Sequence, residues 1–508
     1  MPIPTLALVP LDDRPCNRLF PVQLAEIVGL ELVLPPRELL GWFTTPGDCD
    51  GVAAWLRDGP AEHAVVSLDM LCYGGLVAAR SAEVEAEAAM ARLESLRALK
   101  LAHPDLTLLA SNCLPRLGMT VASAEAVPVH TDLVEYAMLA DRVERLGEEE
   151  ARPELDAVSA RLGPDLIARY RAVRRRNHEL SRAALRLVAD GVLDYLALVQ
   201  EDAAPVGLHL GEQETLRQDA AQLGIADRVA LHPGADEIGL VLMARHCNVA
   251  SGVTPRLCPD YASDAGSRVI PRYEDRPLRD TVQGTLRAAG AEAAPPMGAD
   301  AILFLHTPVG EQRESSEAPP PGQAPTNAMQ SESMAERIGF AAEAGLIVGV
   351  ADVMYANGGD PELIGALERS GAGQKLRGYA GWNTSSNTLG TAVAQLCLEV
   401  LAAREKRDAR AASHRFLACR LADDYLYQTC VRPRAIAQAA AQGADQFALG
   451  DQAATLEQYV RQELVPAADS LYASVIGAPL AELGAELKVS LPWRRLFEVE
   501  VTLAPPTS

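Results

Sequence analysis

Along the chain, short runs of Val, Leu and Ala recur, each closed by a polar cluster and each followed by a stretch with helical periodicity. Eight such runs occur, at 6–11, 64–68, 106–110, 195–199, 229–231, 301–305, 346–350 and 376–380. Their hydrophobicity is continuous rather than alternating, as in strands covered on both faces, and the strand–helix alternation predicts an α/β protein with a parallel sheet. Eight such units close a TIM-like (β/α)8 barrel, with the helical pattern at about 389–405 completing the outer ring. A ninth apolar segment, Glu31 to Leu34 before Pro35-Pro36, does not fit that count and keeps an open doubly wound parallel sheet as the alternative. Both arrangements place ligands at the carboxyl ends of the strands.

Two insertions interrupt the pattern. Residues 117–190 are helical and charge-dense, with Glu148-Glu149-Glu150 and Arg174-Arg175-Arg176 reading as exposed helix faces. Residues 310–335 have loop composition, including Glu-Ser-Ser-Glu-Ala-Pro-Pro-Pro-Gly-Gln-Ala-Pro, and read as a lid over the site or as a variable surface loop. From about 406 the pattern is helical, closing with Leu-Pro-Trp-Arg-Arg-Leu-Phe-Glu-Val-Glu-Val at 491–501. The expected organisation is a barrel-like catalytic domain over 1–405 and an α-helical C-terminal domain over 406–508.

Composition narrows the functional classes. In 508 residues, 46 Lys and Arg stand against 68 Asp and Glu, a net charge of −22. That argues against a nucleic-acid partner, whose phosphates call for a basic surface. The nine cysteines form no C-x-x-C pair, and their odd number argues for reduced core thiols rather than a disulfide framework. No apolar run approaches the roughly 18 residues that span a bilayer, and the N-terminal residues lack the basic start of a signal peptide. The expectation is a cytoplasmic protein without a membrane partner, acting on a small-molecule or oligosaccharide substrate.

Candidate chemistry gathers at the predicted strand ends. The first gives Asp12-Asp13-Arg14 between Pro10 and Pro15, a rigid polar mouth in which Asp13 and Arg14 could also form a structural ion pair. The second and third give Asp69 and Asn112, the fourth Glu201-Asp202, and the fifth His232-Pro-Gly-Ala-Asp236-Glu237. The last two give Asp352, Tyr355 and Asn357, then Trp382 and Asn383. Carboxylate doublets at neighbouring strand ends need a metal, a cationic partner or shared protons. No G-x-G-x-x-G or Walker sequence is present, so nucleotide cofactors have no support, and no G-x-S-x-G elbow points to a serine nucleophile.

Several of these segments resemble a bacterial family known as domain of unknown function 4127: Pro-Leu-Asp-Asp-Arg-Pro (10–15), Leu-Pro-Pro-Arg-Glu-Leu-Leu-Gly (34–41), Gln-Glu-Asp-Ala-Ala-Pro (200–205), Gly-Ala-Asp-Glu (234–237), Tyr-Ala-Asn-Gly-Gly-Asp (355–360), Gly-Trp-Asn-Thr (381–384) and Leu-Pro-Trp-Arg-Arg-Leu-Phe-Glu (491–498). The likeness runs over nearly the whole chain and implies no particular activity. Residues 232–237 are also similar to the His-x-Gly-Gly-Asp-Glu motif of family 20 β-hexosaminidases, departing from it at Ala235. In that family the Glu is the general acid and the preceding Asp orients the substrate acetamido group.

The residues themselves lead to a glycoside hydrolase-like enzyme acting on a neutral or amino-sugar glycoside by carboxylate general acid/base catalysis, without a cofactor. Glu237 is the first choice for the acid, and Asp202, Asp236 and Asp13 compete for the second role. Asp12, Arg14, Asp69, Asn112, Glu201, His232, Asp352, Tyr355, Asn357, Trp382 and Asn383 are expected to bind substrate, the two aromatics by stacking on a sugar ring. A metal-dependent sugar isomerase or hydrolase is the first alternative, with His232, His306 and the carboxylates of Asp13, Asp69 or Asp236 around Mn²⁺ or Zn²⁺. A non-catalytic carbohydrate-binding protein is the second.

Overall fold

The computed structural model describes residues 3–59, 62–317, 323–482 and 485–504. The expected strands form, but they pair into two open sheets. The first holds β1 (Leu6–Val9), β2 (Leu32–Val33), β3 (His63–Ser67), β4 (Thr107–Leu114), β5 (Tyr195–Gln200) and β6 (Val229–Pro233), all parallel, in the order β2-β1-β3-β4-β5-β6. The second holds β7 (Arg256–Tyr261), β8 (Glu292–Ala293), β9 (Ala301–His306), β11 (Ile347–Asp352) and β13 (Gly378–Ala380), again parallel, in the order β8-β7-β9-β11-β13. Within the span of the second sheet, β10 (Arg313–Glu314) pairs with β12 (Tyr355–Ala356), and after it β14 (Glu486–Ser490) and β15 (Glu500–Ala504) form an antiparallel hairpin.

No barrel closes among the described residues. The ninth segment becomes β2 and pairs with β1, so that β2 and β6 are the edges of the first sheet. In the second sheet, β7 and the two-residue β8 are absent from the sequence expectation, and in β7 Arg256, Pro259 and Asp260 break the apolar run. With β7 in place, the second sheet repeats the first: its opening strand lies between its second and third. Strand order therefore reverses between β1 and β3 and again between β7 and β9. Such reversals open crevices at the carboxyl ends of parallel strands.

Each sheet is covered on both faces, which explains the continuous hydrophobicity of its strands. In β1, Leu6 and Leu8 face a core shared by the two sheets, while Ala7 and Val9 face an outer core. In β9, Ala301, Leu303 and Leu305 face the shared core, while Ile302 and Phe304 face the opposite outer layer. The helices Pro15–Val28, Ile238–Ala250, Leu278–Ala288 and Ser385–Arg404 fill the space between the sheets. Ser385–Arg404 is buried through almost its whole length.

The segment 117–190 is helical, as expected, with Val127–Glu144, Arg152–Leu162 and Pro164–Ala189. In the segment 310–335, β10 and the start of the helix Ala324–Glu343 replace much of the expected loop, and residues 318–322 lie outside the described residues. The C-terminal part is not purely helical. After Arg410–Arg420 and the π-helical stretch Leu421–Val431, the helices Arg432–Ala441 and Ala453–Leu471 lead into the hairpin β14–β15. This part shares its core with β9 and β11 through Phe304, Val350, Leu417 and Tyr427. All cysteines in the described residues are free, and all but Cys430 are buried.

Candidate active site

Pro15 opens the helix Pro15–Val28 and holds Arg14 in extended backbone (φ −60°, ψ 152°), because the residue before a proline is kept out of the helical region. The Arg14 side chain turns inward from this position and binds two carboxylates. Its Nε donates to Asp12 Oδ1 at 3.0 Å, Nη2 to Asp12 Oδ2 at 2.7 Å, and Nη1 to Asp236 Oδ2 at 3.0 Å. Asn17 Nδ2 gives Asp12 a further bond at 2.7 Å. Arg14, Asp12 and Asp236 are all buried. The ion pair expected between Asp13 and Arg14 is absent: Asp13 instead accepts from Trp493 Nε1 and, at 3.1 Å, from Arg37 Nε. Burial raises the Asp13 pKa against the opposing effect of these two donors. The Trp493 ring in turn lies 5.0 Å from the Arg14 guanidinium, a cation–π contact.

The ends of β5 and β6 supply the other carboxylates. Glu201 accepts from Arg80 Nε at 3.1 Å and Nη2, and Asp202 pairs with Arg116. Burial lifts Glu201 above the ordinary carboxylate range against the pull of Arg80 and Arg116. Asp236 N donates to Asn387 Oδ1 (3.1 Å), and the Asp236 carboxyl accepts from Asn383 Nδ2 at 3.3 Å. Burial raises its pKa as well, against Arg14. Glu237 is fully enclosed behind this turn: its Oε2 accepts from Ala235 N at 2.9 Å and its Oε1 has no partner. Burial pushes its carboxyl up to about 8. Gly234 and Gly390 leave room for it, since a Cβ on either would collide with the Glu237 side chain.

The second sheet contributes two asparagines in left-handed backbone, Asn357 (φ 58°) and Asn383 (φ 53°), a conformation rare outside glycine and typical of constrained sites. Asn357 N donates to Asn383 O at 2.8 Å, which ties the two loops together. Behind them, Asp352 Oδ2 accepts from Asp360 N (2.7 Å) and Tyr379 OH (3.1 Å), while Asp424 Oδ2 accepts from Gly381 N (2.9 Å). These buried acids hold the loops in place. Burial raises Asp352 to about 6 and Asp424 to about 8.

These loops enclose a cavity of about 250 Å³ between the carboxyl ends of the two sheets. Of the residues expected from sequence, Arg14, Glu201, Asp202, Asp236, Asn357 and Asn383 line it. Trp382 lines only a small adjoining space, with its ring edge against Phe20 and its Nε1 donating to Thr391. Asp12, Asp13 and Glu237 lie behind the wall. Asp69 and Asn112 are buried together at 3.3 Å, with Asn112 also accepting from Ser181, and burial raises Asp69 to about 7. Asp352 is buried under the second sheet's loops, and Tyr355 OH accepts from Asn327. His232 turns to its neighbour's backbone, Nδ1 against Pro233 O, and packs on Gly284.

Sequence reasoning missed Arg80, His130, Tyr273, Phe447, Trp493, Arg495 and Phe497, all on the cavity wall. Trp493, Arg495 and Phe497 belong to the Trp-Arg-Arg-Leu-Phe segment, whose interleaved aromatics and arginines were the available signal. There Arg495 stacks on Trp493 and Phe497 and pairs with Glu498. Arg14, Arg80, Arg116 and Arg495 thus each already face a carboxylate. A charge-matched wall with amide, hydroxyl and aromatic groups suits a neutral polyhydroxylated ligand better than an anion, which would have to displace an existing partner.

The residues do not converge as a metal site. Among the described residues no group of three or more His, Cys, Asp or Glu is arranged to hold a metal ion. His306 bonds Asp360 at 2.8 Å in the second sheet, apart from His232 on Gly284 and from Asp13 under Trp493. Among the described residues no helix is long and apolar enough to cross a membrane.

A family model described as "Protein of unknown function (DUF4127)" matches residues 6–502. The chain belongs to this family. The match takes in both sheets, the helical insertion after β4 and the hairpin as far as residue 502, so the DUF4127 region includes every cavity-lining residue named above. Searches among curated proteins and among solved structures find no match.

Proposed function

We propose that the cavity between the two sheets is the active site of a glycoside hydrolase-like enzyme acting on a neutral or amino-sugar glycoside. The observation that carries this reading is the placement of Asp236 and Asp202, from adjacent strands, on one charge-matched cavity beside Asn357, Asn383 and Asn387. Glycoside hydrolysis needs one carboxyl able to hold a proton for the leaving oxygen and one ionised carboxylate to support the oxocarbenium-like state. Asp236, buried and with its pKa raised, takes the first role. Asp202, more exposed and paired with Arg116, takes the second. Glu237, the first choice for the acid on sequence grounds, lies one residue behind the wall, and its role in this reading is to brace the Gly234–Asp236 turn. The asparagine amides address sugar hydroxyls.

Hydrolysis of a panel of 4-nitrophenyl glycosides, including N-acetylhexosaminides, tests the reading. Turnover of at least one member is expected, with a raised KM in Asn383→Ala. Binding without turnover would support the non-catalytic alternative, and neither binding nor turnover would overturn the proposal.

A further inference from the structure

The helix Val127–Glu144 carries two apolar stripes. One, with Leu133, Tyr136, Ala137, Ala140 and Val143, is buried. The other, with Val127, Val134 and Met138 at helical spacing, lies on the opposite side and lines an open groove of about 910 Å³ together with Leu117. This groove and the cavity of the proposed active site share four wall residues: Arg116, His130, Asp202 and Tyr273. The shared wall is pinned, with His130 Nδ1 against Met119 O at 2.7 Å, Arg116 on Asp202, and Tyr273 OH on Glu314. The cavity and the groove thus adjoin at Asp202, with the apolar stripe on the groove side and Glu135, Arg142 and Glu154 on its rim.

We infer that the groove is a subsite for an apolar aglycone, so that the substrate class is an amphiphilic glycoside with its sugar in the cavity and an alkyl or aryl group along Val127, Val134 and Met138. This inference rests on the carbohydrate reading above. Continuity through the shared wall sets the occupant: an aglycone joined to the cavity's own ligand reaches the stripe without a second binding event, and Asp202 stands where the two parts of the ligand meet.

Calorimetric titration of the full chain with methyl and n-octyl β-glycosides of glucose and N-acetylglucosamine, at octyl concentrations below micelle formation, tests it independently of turnover. Each methylene that leaves water for the groove should tighten binding by ~4-fold, so the octyl probe should exceed the methyl probe by more than ~10-fold. Val134→Asp and Met138→Gln, both half-buried surface changes, should collapse that ratio towards one, while Phe340→Gln, on the exposed face of a distant helix, leaves it intact. Equal affinity of the two probes overturns the inference and leaves the carbohydrate reading standing. An octyl preference insensitive to Val134→Asp and Met138→Gln also overturns it, as does a concentration-dependent dimer that Val134→Asp abolishes. Absence of binding by every probe overturns the carbohydrate reading and this inference together.

Discussion

Arg14 and Asp236 lie 222 positions apart in the chain and meet through two hydrogen bonds in a buried setting. The pair joins the end of β1 to the end of β6, and Arg14 also holds Asp12, so one guanidinium serves two buried acidic side chains.

Removing that cation leaves both acidic side chains without their main donor. Breaking a buried pair by deleting one partner costs ~3–5 kcal/mol, and lysine cannot reproduce the two-sided fork of arginine. Arg14→Ala should therefore lower the thermal midpoint strongly and Arg14→Lys should recover only part of the loss. A midpoint unchanged in Arg14→Ala would show that the pair carries no structural weight.

Trp493 lies 480 positions from Asp13 and donates its indole N–H to it, while its ring covers Arg14. Trp493→Phe keeps an aromatic face and loses the hydrogen bond, at a cost of ~1 kcal/mol. Trp493→Ala loses both, at ~3–5 kcal/mol. Thermal melts should rank wild type above Trp493→Phe and Trp493→Ala last.

Much of this arrangement could be read from the residues, and some of it could not. Strands such as Leu6–Val9 and Ala301–His306 were legible because both faces are covered and every residue but His306 is apolar. β7 was not, because Pro259 and two charged residues break its run. Counting strands could not separate one barrel from two sheets, since that depends on which edges pair, and the two-residue strand Leu32–Val33 is what sets the first edge. Asp236, Asp202 and Asn383 stood out at strand ends. The interleaved aromatics and arginines marked Trp493, Arg495 and Phe497, but not their place, which depends on the C-terminal segment folding back onto the loops after β1 and β2, where Trp493 meets Asp13 and Phe43. In sequence Glu237 is the first choice for the acid and Asp236 a candidate for the second role, but the turn at Gly234 puts Asp236 on the cavity and Glu237 behind its wall.

Asn357 and Asn383 separate backbone from side-chain roles. Both sit in left-handed backbone that glycine adopts freely and a β-branched residue adopts only with strain of ~1–2 kcal/mol. Asn383→Gly should keep the thermal midpoint near that of wild type while weakening sugar binding, and Asn383→Val should lower both. Equal midpoints for the two variants would contradict the strain argument.

Stability should fall as pH rises through neutrality. Burial lifts Asp69, Glu237 and Glu274 from ordinary values of 3.8, 4.5 and 4.5 to about 7, 8 and 7. Between these limits the unfolded chain has released protons that the folded chain keeps, so the folded state is favoured fully below pH 4 by these groups and loses that advantage as pH climbs towards 8. Each group contributes up to ~1.4 kcal/mol per pH unit within its window. Buried His209, His232 and His246, lowered from 6.5 to about 4, act in the opposite sense only below pH 6.5. Thermal midpoints measured from pH 6.5 to pH 8.5 should therefore decline, and Glu237→Gln should flatten the decline by removing one of the contributing titrations. A midpoint that rises over this range would contradict the assignment.

In the glycosidase reading proposed above, Asp236 holds the proton delivered to a glycosidic oxygen. The most direct test of that role is kcat/KM for the best 4-nitrophenyl glycoside in wild type and in Asp236→Asn, an isosteric change that keeps a partner for Arg14 and removes the titrating group. Loss of a general acid lowers rates by ~10²–10⁴-fold, and a drop in that range, carried by kcat with little change in KM, is the predicted result. Turnover undiminished in Asp236→Asn would contradict the account.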